Sequence, residues 1–231
     1  AVLGEELGVD AGDILATDLV LCPRQAPVRI GPEGEFFQAP RIDDLGCAYA
    51  TLEGFLSAKG TERFGQLYCL FDNEEVGSGT RQGAMSSFLP DVLTRIGEAL
   101  GLSAQARRQA LAGSLLLSAD NGHAVHPNFP EKADPANRVY PNGGVVIKYS
   151  ANQKYTTDAV SDAIFAEICA KAGVPVQHFA NRSDVLGGST LGNLANAHIS
   201  MNTVDIGLAQ LAMHSSYETA GCADVDYMIR A

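Results

Sequence analysis

A chain of 231 residues with 46% hydrophobic and 19% charged residues is long enough to bury a real core and too apolar to be disordered. Its net charge of −11 speaks against nucleic acid or an anionic membrane as the main partner, and no apolar run reaches membrane-spanning length or forms a signal-peptide pattern. Five cysteines (Cys22, Cys47, Cys69, Cys169, Cys222) are odd in number and never form Cys-x-x-Cys, which points to free thiols in a reducing, cytoplasmic compartment.

Residues 1–40 predict a short helical piece and a strand over Asp18–Leu21. Turns and short strands follow around Pro23, Pro27, Gly31, Pro32 and Gly34. Leu45, Ala48, Tyr49, Leu52 and Phe55 recur at helical spacing, so a helix is expected from Asp43 to Lys59, ended by Gly60. Phe64 to Phe71 is mostly apolar and aromatic and reads as a buried strand. It runs into Asp72-Asn73-Glu74-Glu75-Val76-Gly77-Ser78-Gly79. On a strand Glu74 and Glu75 would point to opposite faces; in a turn, for which Gly77 and Gly79 supply the freedom, both can serve one site. Two such carboxylates suit hydrolysis, one binding a cation and one moving protons, although a solvated acidic turn is the commoner fate of a Glu-Glu pair.

Residues 84–113 carry two helical patterns divided near Gly101-Leu102-Ser103, with Ser103 placed to cap the second. Leu115 to Ala119 is a short apolar run that ends in Asp120. The Pro- and Asn-rich stretch from Asn121 to Asn142 is a long loop, of the kind that usually carries function. Strands follow at Val145–Tyr149, Val176–Ala180 and Ile199–Ile206, with a helix over Thr157–Ala172. A short helix comes after the loop Asp184–Thr190, then a turn around Met213-His214-Ser215, and a last helix from Tyr217. The alternation predicts an α/β layered fold with a largely parallel or mixed sheet.

Ligands of open α/β sheets gather beyond the carboxyl ends of the strands. Asp43 and Asp44, Glu74 and Glu75, Asp120 with His123 and His126, and His214 all fall there. Left bare, that many acids would repel one another and raise their pKa values; divalent cations remove the conflict. Singly, each has a plainer role: one of the Asp43–Asp44 pair is expected to cap its helix, His123 and His126 could be loop residues, and His214 could flank a helix. There is no His-Glu-x-x-His, Gly-x-Ser-x-Gly or phosphate loop. Gly187-Gly188-Ser189-Thr190 lacks dinucleotide-site spacing and reads as a loop where backbone approaches a substrate.

Ala39-Pro40-Arg41-Ile42-Asp43-Asp44-Leu45, Asp72 to Ser78, Ser118-Ala119-Asp120 running into His123-Ala124-Val125-His126-Pro127-Asn128, Val146 to Tyr155, and Gln210-Leu211-Ala212-Met213-His214-Ser215 occur in the order seen in the aspartyl aminopeptidase family. The chain resembles that family of dinuclear zinc exopeptidases along its whole length. The resemblance implies a three-layer α/β/α sandwich with a mixed, largely parallel sheet in 39–231, and the tail of a smaller β-rich dimerisation insert in 1–38. It implies two divalent cations, zinc by type, with Asp43 bridging them, Glu75 and His214 on one and Asp120 on the other. Glu74 would be the general base acting on a metal-bridging water, and His123 would line the site and meet the oxyanion. Lys148 and residues 187–190 (Gly188, Ser189 and Thr190 among them) would lie near the substrate, Lys148 pairing with an acidic N-terminal side chain. Peptide substrates and a large homo-oligomer, a dodecamer by the family's tetrahedral assembly, are further implications. The family's remaining histidine ligand comes upstream of anything here, so the chain is expected to be the later part of a subunit. A related aminopeptidase of broad or neutral specificity and a non-catalytic assembly subunit are the rival readings.

Overall fold

The computed structural model describes residues 1–61 and 64–231. A short helix, α1 (Val2–Leu7), is followed by an irregular, exposed arm, and the strand expected at Asp18–Leu21 does not form. Leu19, Val20 and Leu21 lie open to solvent with no neighbouring strand among the described residues, and an isolated extended segment has no ladder for its backbone groups. The hairpin β1 (Val28–Ile30) and β2 (Phe36–Ala39) then leads into α2 (Ile42–Ser57). The helical spacing of its apolar residues is real, but Asp43 and Asp44 stand outside helical conformation at its start.

Residues 64–71, expected as a buried strand, form none. Phe64, Leu67 and Leu70 are exposed, and the segment is tied down through Tyr68, whose hydroxyl donates to the Ala48 carbonyl at 2.8 Å and whose ring sits 5.9 Å from that of Phe55. Apolar content reports what a side chain tolerates, whereas a strand needs a neighbouring strand, and among the described residues no strand ladder includes this segment. Beyond the acidic turn come α3 (Phe88–Ala99) and α4 (Ala104–Ala112), the latter capped by Ser103, which accepts from the Ala106 amide at 3.1 Å.

The remaining elements are β3 (Leu115–Ala119), β4 (Gly122–His123), β5 (Val145–Tyr149), α5 (Ala159–Ala172), β6 (Val176–Ala180), α6 (Leu191–Asn196), β7 (Asn202–Gly207), β8 (Ala209–Leu211), β9 (Glu218–Gly221) and α7 (Cys222–Arg230). Contrary to expectation, Glu218–Gly221 is a strand, and the last helix starts at Cys222 rather than Tyr217. β9 is held from both sides, by β2 and by β8, and that ladder overrides local helical preference.

The strands form two sheets, in the orders β1-β2-β9-β8-β4 and β3-β7-β5-β6. The second is mixed: β3 and β7 run parallel, β5 and β6 run parallel, and β5 meets β7 antiparallel. One face carries α2, α5 and α7 over a core of Cys47, Ala50, Val145, Ile147, Phe165, Val204, Ile206 and Met228. The opposite face packs Val146 and Phe179 against Val139, Tyr155 and Ala209. Successive residues of β5 thus serve opposite cores, as the period of two requires. No helix of the described residues is long and apolar enough to cross a membrane.

The two sheets are sewn together where the parallel pair β3/β7 continues as the parallel pair β4/β8. The Asp120 amide donates to the Ile206 carbonyl at 2.9 Å and the Gly122 amide to the Leu208 carbonyl at 2.8 Å. Between them the chain bends, and Gly207 makes the bend possible: a Cβ there would lie 2.0 Å from the Asp120 carbonyl oxygen. Asp120 therefore sits at the seam of the sheets.

Candidate active site

Four segments deliver acids and a histidine to this seam. Asp43 and Asp44 come from the head of α2, Asp120 from the end of β3, and Glu74 with Glu75 from a single 3-10 turn, Glu74–Val76. The glutamate turn works as its sequence suggests, but with different hinges. Gly77 takes φ +94 and closes on the Glu74 carbonyl at 2.7 Å, while Asn73 and Ser78, rather than Gly79, supply the other left-handed positions. His214 follows β8 in a turn at φ +65.

His214 Nε2 lies 3.0 Å from Asp43 Oδ2 and 3.0 Å from Glu75 Oε2. Ligand atoms of Asp43, Glu75 and His214 fall within 4.8 Å of one another, and so do those of Asp43, Asp44 and Asp120. The structure thus brings together all four residues that the resemblance names as ligands. It also gathers Asp44, which the sequence placed at the strand ends with these residues and to which the resemblance gave no ligand role. Asp44 Oδ1 is buried and, among the described residues, has no hydrogen-bond partner; Asp43 Oδ1 is in the same state.

Burial first, and then mutual repulsion, lift these acids out of the ordinary carboxylate range. Asp43 rises to about 8 through burial, then Asp120, Glu75 and Glu218. Asp44 rises to about 9 through burial, then Asp120 and Asp43. Glu74 rises to about 7 through burial, Asp120 and Glu75, and Glu75 is raised by burial, partly offset by His214. Two buried carboxylate oxygens without donors, in a group of acids that resist ionising together, are a donor set suited to hard or borderline dications. The chain's residues therefore fit a metal centre.

His123, on β4, has its imidazole held below the ordinary value by burial and then by His214 and Lys148, so it is neutral at pH 7. His126 stays out of the cluster; its Nδ1 accepts from the Asn128 amide at 3.2 Å and its ring lies against Phe129. Lys148, expected near the substrate, lies against the acid cluster from below. It is 1% exposed beneath Asp120, with Nζ donating to Asp120 O at 2.8 Å, Asp120 Oδ2 at 3.1 Å and Asn121 O at 3.2 Å. Burial would pull its pKa down, yet the carboxylates of Asp120 and Asp205 more than compensate, leaving a cation whose three protons are spent inside the protein. Of the expected substrate loop, Gly188 and Ser189 are exposed, while Thr190 is buried and donates to Asp205 Oδ1 at 2.6 Å. Asp205 also accepts from the Thr156 hydroxyl at 2.7 Å, and Lys154 Nζ donates to the Gly187 carbonyl at 3.0 Å, which fixes the base of the loop.

Glu218 was missed in the sequence because it was read into a helix. It is 2% exposed, and its two oxygens accept from the backbone amides of Asp43, at 2.9 Å, and His214, at 2.7 Å. Asn121, also buried, ties Ile42 O and Gln210 Oε1 together at 2.8 and 2.7 Å.

With this geometry in place, comparison with known proteins is informative. Residues 1–231 match the family described as aminopeptidase I zinc metalloprotease (M18). The chain is 45% identical over 227 residues to "Probable M18 family aminopeptidase 2" of Clostridium acetobutylicum, covering 98% of this chain and 52% of that protein. It is 37% identical to an aspartyl aminopeptidase of Dictyostelium discoideum, covering 99% and 49%. Among solved structures, the mApe1 dodecamer of Saccharomyces cerevisiae superposes with a TM-score of 0.83 at 30% identity, covering 99% of this chain and 52% of that one. The chain spans about half the length of the curated relatives it matches.

Proposed function

The chain belongs to the aminopeptidase I zinc metalloprotease family (M18), and from that premise we propose that the whole protein is a zinc-dependent aminopeptidase that removes an N-terminal residue, acidic by preference, from peptides. The observation that supports this most is the meeting of Asp43, Glu75, Asp120 and His214 around unsatisfied buried oxygens. In this reading Asp43, Glu75 and His214 hold one dication, and Asp120 shares a second with Asp43, Asp44 standing beside them. Bound there, the cations would supply Lewis acidity, polarising the scissile carbonyl and neutralising charge that develops on it.

Glu74 takes the proton of the attacking water and returns it to the leaving amine. In the cation-free fold, burial, then Asp120 and Glu75, raise its pKa to about 7, so it readily holds a proton there. Dications bound beside it would favour the carboxylate form that accepts one. His123, neutral and able to donate, meets the developing oxyanion. Gly188 and Ser189 line the approach of the substrate's first residue, and Thr190 anchors that loop on Asp205. Lys148 acts through Asp120, whose carboxylate it holds. Residues 1–38 are the tail of a dimerisation insert and 39–231 the catalytic part. A homo-oligomer like the yeast dodecamer and a cytosolic location, in keeping with cysteines that are all free, complete the proposal.

The test is an assay of the intact protein on aspartyl and leucyl amides with and without a chelator. Turnover should stop on chelation and return with zinc; turnover that resists chelation would overturn the reading. The commitment of Lys148 to Asp120 favours a second reading on one point, that specificity is broad. A Lys148→Ala arm decides how the lysine bears on it. The expected result is a lower rate with the ratio of aspartyl to leucyl turnover unchanged. Collapse of that ratio with leucyl turnover intact would put the lysine in the specificity pocket.

A further inference from the structure

Glu218 heads β9 as a fully enclosed carboxylate, four residues after His214 in the chain and 175 residues away from Asp43. Its backbone pairs with Ala39, at the end of the strand that leads to Asp43. One oxygen takes the Asp43 amide at 2.9 Å and the other takes the His214 amide at 2.7 Å. His214 holds φ +65, a conformation that a non-glycine residue keeps only when its surroundings fix it. Across the same gap the two side chains meet, with His214 Nε2 3.0 Å from Asp43 Oδ2. A single carboxylate therefore sets the spacing of two backbones whose side chains converge on one point.

We infer that Glu218 is a positioning residue for the cation site: by clamping both amides it fixes the distance between Asp43 and His214, and with it the affinity for the cation they share. This inference rests on the reading of those two side chains as ligands. The chemistry of the clamp explains why a carboxylate is required. Glutamine has one carbonyl oxygen and would turn an NH2 group towards the second amide, donor against donor. Aspartate keeps the charge but is one methylene shorter and cannot reach both amides. Partners behind metal ligands typically change affinity by about 10–100-fold when removed.

Asp224 provides a matched control. It is likewise fully buried and likewise accepts two backbone amides, those of Asn142 at 2.6 Å and Gly144 at 2.9 Å, but at the start of β5 rather than behind the acids. If Glu218 matters only for stability, Glu218→Gln and Asp224→Asn should behave alike.

The experiment measures Co²⁺ affinity by competition with a chromophoric chelator, and the Co²⁺ absorption spectrum, in the intact protein and in Glu218→Gln, Glu218→Asp and Asp224→Asn. Glu218→Gln and Glu218→Asp should bind about 10–100-fold more weakly, with an altered spectrum, while Asp224→Asn keeps the parent's affinity and spectrum. Parent-like affinity and spectrum in either Glu218 variant would overturn the inference, and the aspartate variant decides if the glutamine one does not fold. Equal loss in Asp224→Asn would show a general effect of destabilisation and overturn it as well. A parent that takes up no Co²⁺ would instead bring down the metal-site reading beneath it.

Discussion

Glu74 and Glu75 are neighbours on one short turn, yet their surroundings divide the labour between them. Glu75 Oε2 lies 3.0 Å from His214 Nε2, beside the proposed cation position, whereas burial, then Asp120 and Glu75, raise Glu74 to about 7 in the cation-free fold. Glu74→Gln should therefore keep the cations and lose turnover by about 10²–10⁴-fold, the usual share of a general base. Metal content and kcat measured on the same preparation check this, and loss of metal in that variant would mean that the two glutamates exchange roles. The sequence made this pair visible because Gly77 beside the doublet allows a turn in which both carboxylates can face one site. It left Asp44 without an assigned role and hid Glu218, for a physical reason. A carboxylate that joins a cluster, or that binds backbone amides from distant segments, is specified by tertiary placement, and no local spacing marks it.

At the level of elements, β3 and its terminal acid could be read directly, since five residues of apolar strand ending in Asp120 put a carboxylate at a strand exit whichever way the sheet is built. The same logic failed for residues 64–71, whose apolar side chains fit a strand but which, among the described residues, join no strand ladder. It failed again at Glu218–Gly221, where β2 and β8 on either side impose the extended form. Pairing is a property of two segments, and one segment's composition cannot report it. The most demanding element junction is the bend at which β3 passes into β4, opposite Gly207. Because a methyl group there would meet the Asp120 carbonyl oxygen at 2.0 Å, and backbone cannot swing aside as a long side chain can, Gly207→Ala must push the strands apart. The expected cost is about 1–3 kcal/mol of stability, the range of overpacked cores. Weaker metal uptake should accompany it, because Asp120 moves with its carbonyl. Chemical denaturation and metal titration of the variant measure the two effects, and a variant with the parent's stability would show that the bend is slack.

Across the whole molecule, two sheets and three helices of one face enclose a seam that carries more acid than it can ionise. The chain as a whole is already at −11, so little in its long-range field relieves that seam. The sign of the resulting pH dependence follows from the direction of the shifts. Glu74, Asp43 and Asp44 sit at about 7, 8 and 9 in the cation-free fold, all above the ordinary carboxylate values that the unfolded chain would show. The cation-free fold then binds more protons than the unfolded chain from about pH 4 to about pH 9, and its stability falls as pH rises through that window. Dications compete with those same protons, so their binding strengthens as pH rises. Cation at about 100 times its Kd would stabilise the fold by about 2.7 kcal/mol, and that quantity should grow with pH. Thermal melts at pH 6 and pH 9, with zinc and with chelator, should therefore show a Tm gap that widens at the higher pH, because chelation costs most where the acids are forced to ionise unpaired. A gap of the same size at both pH values would mean that Asp43, Asp44 and Glu74 titrate as ordinary surface acids, and that the seam does not gather them around a cation.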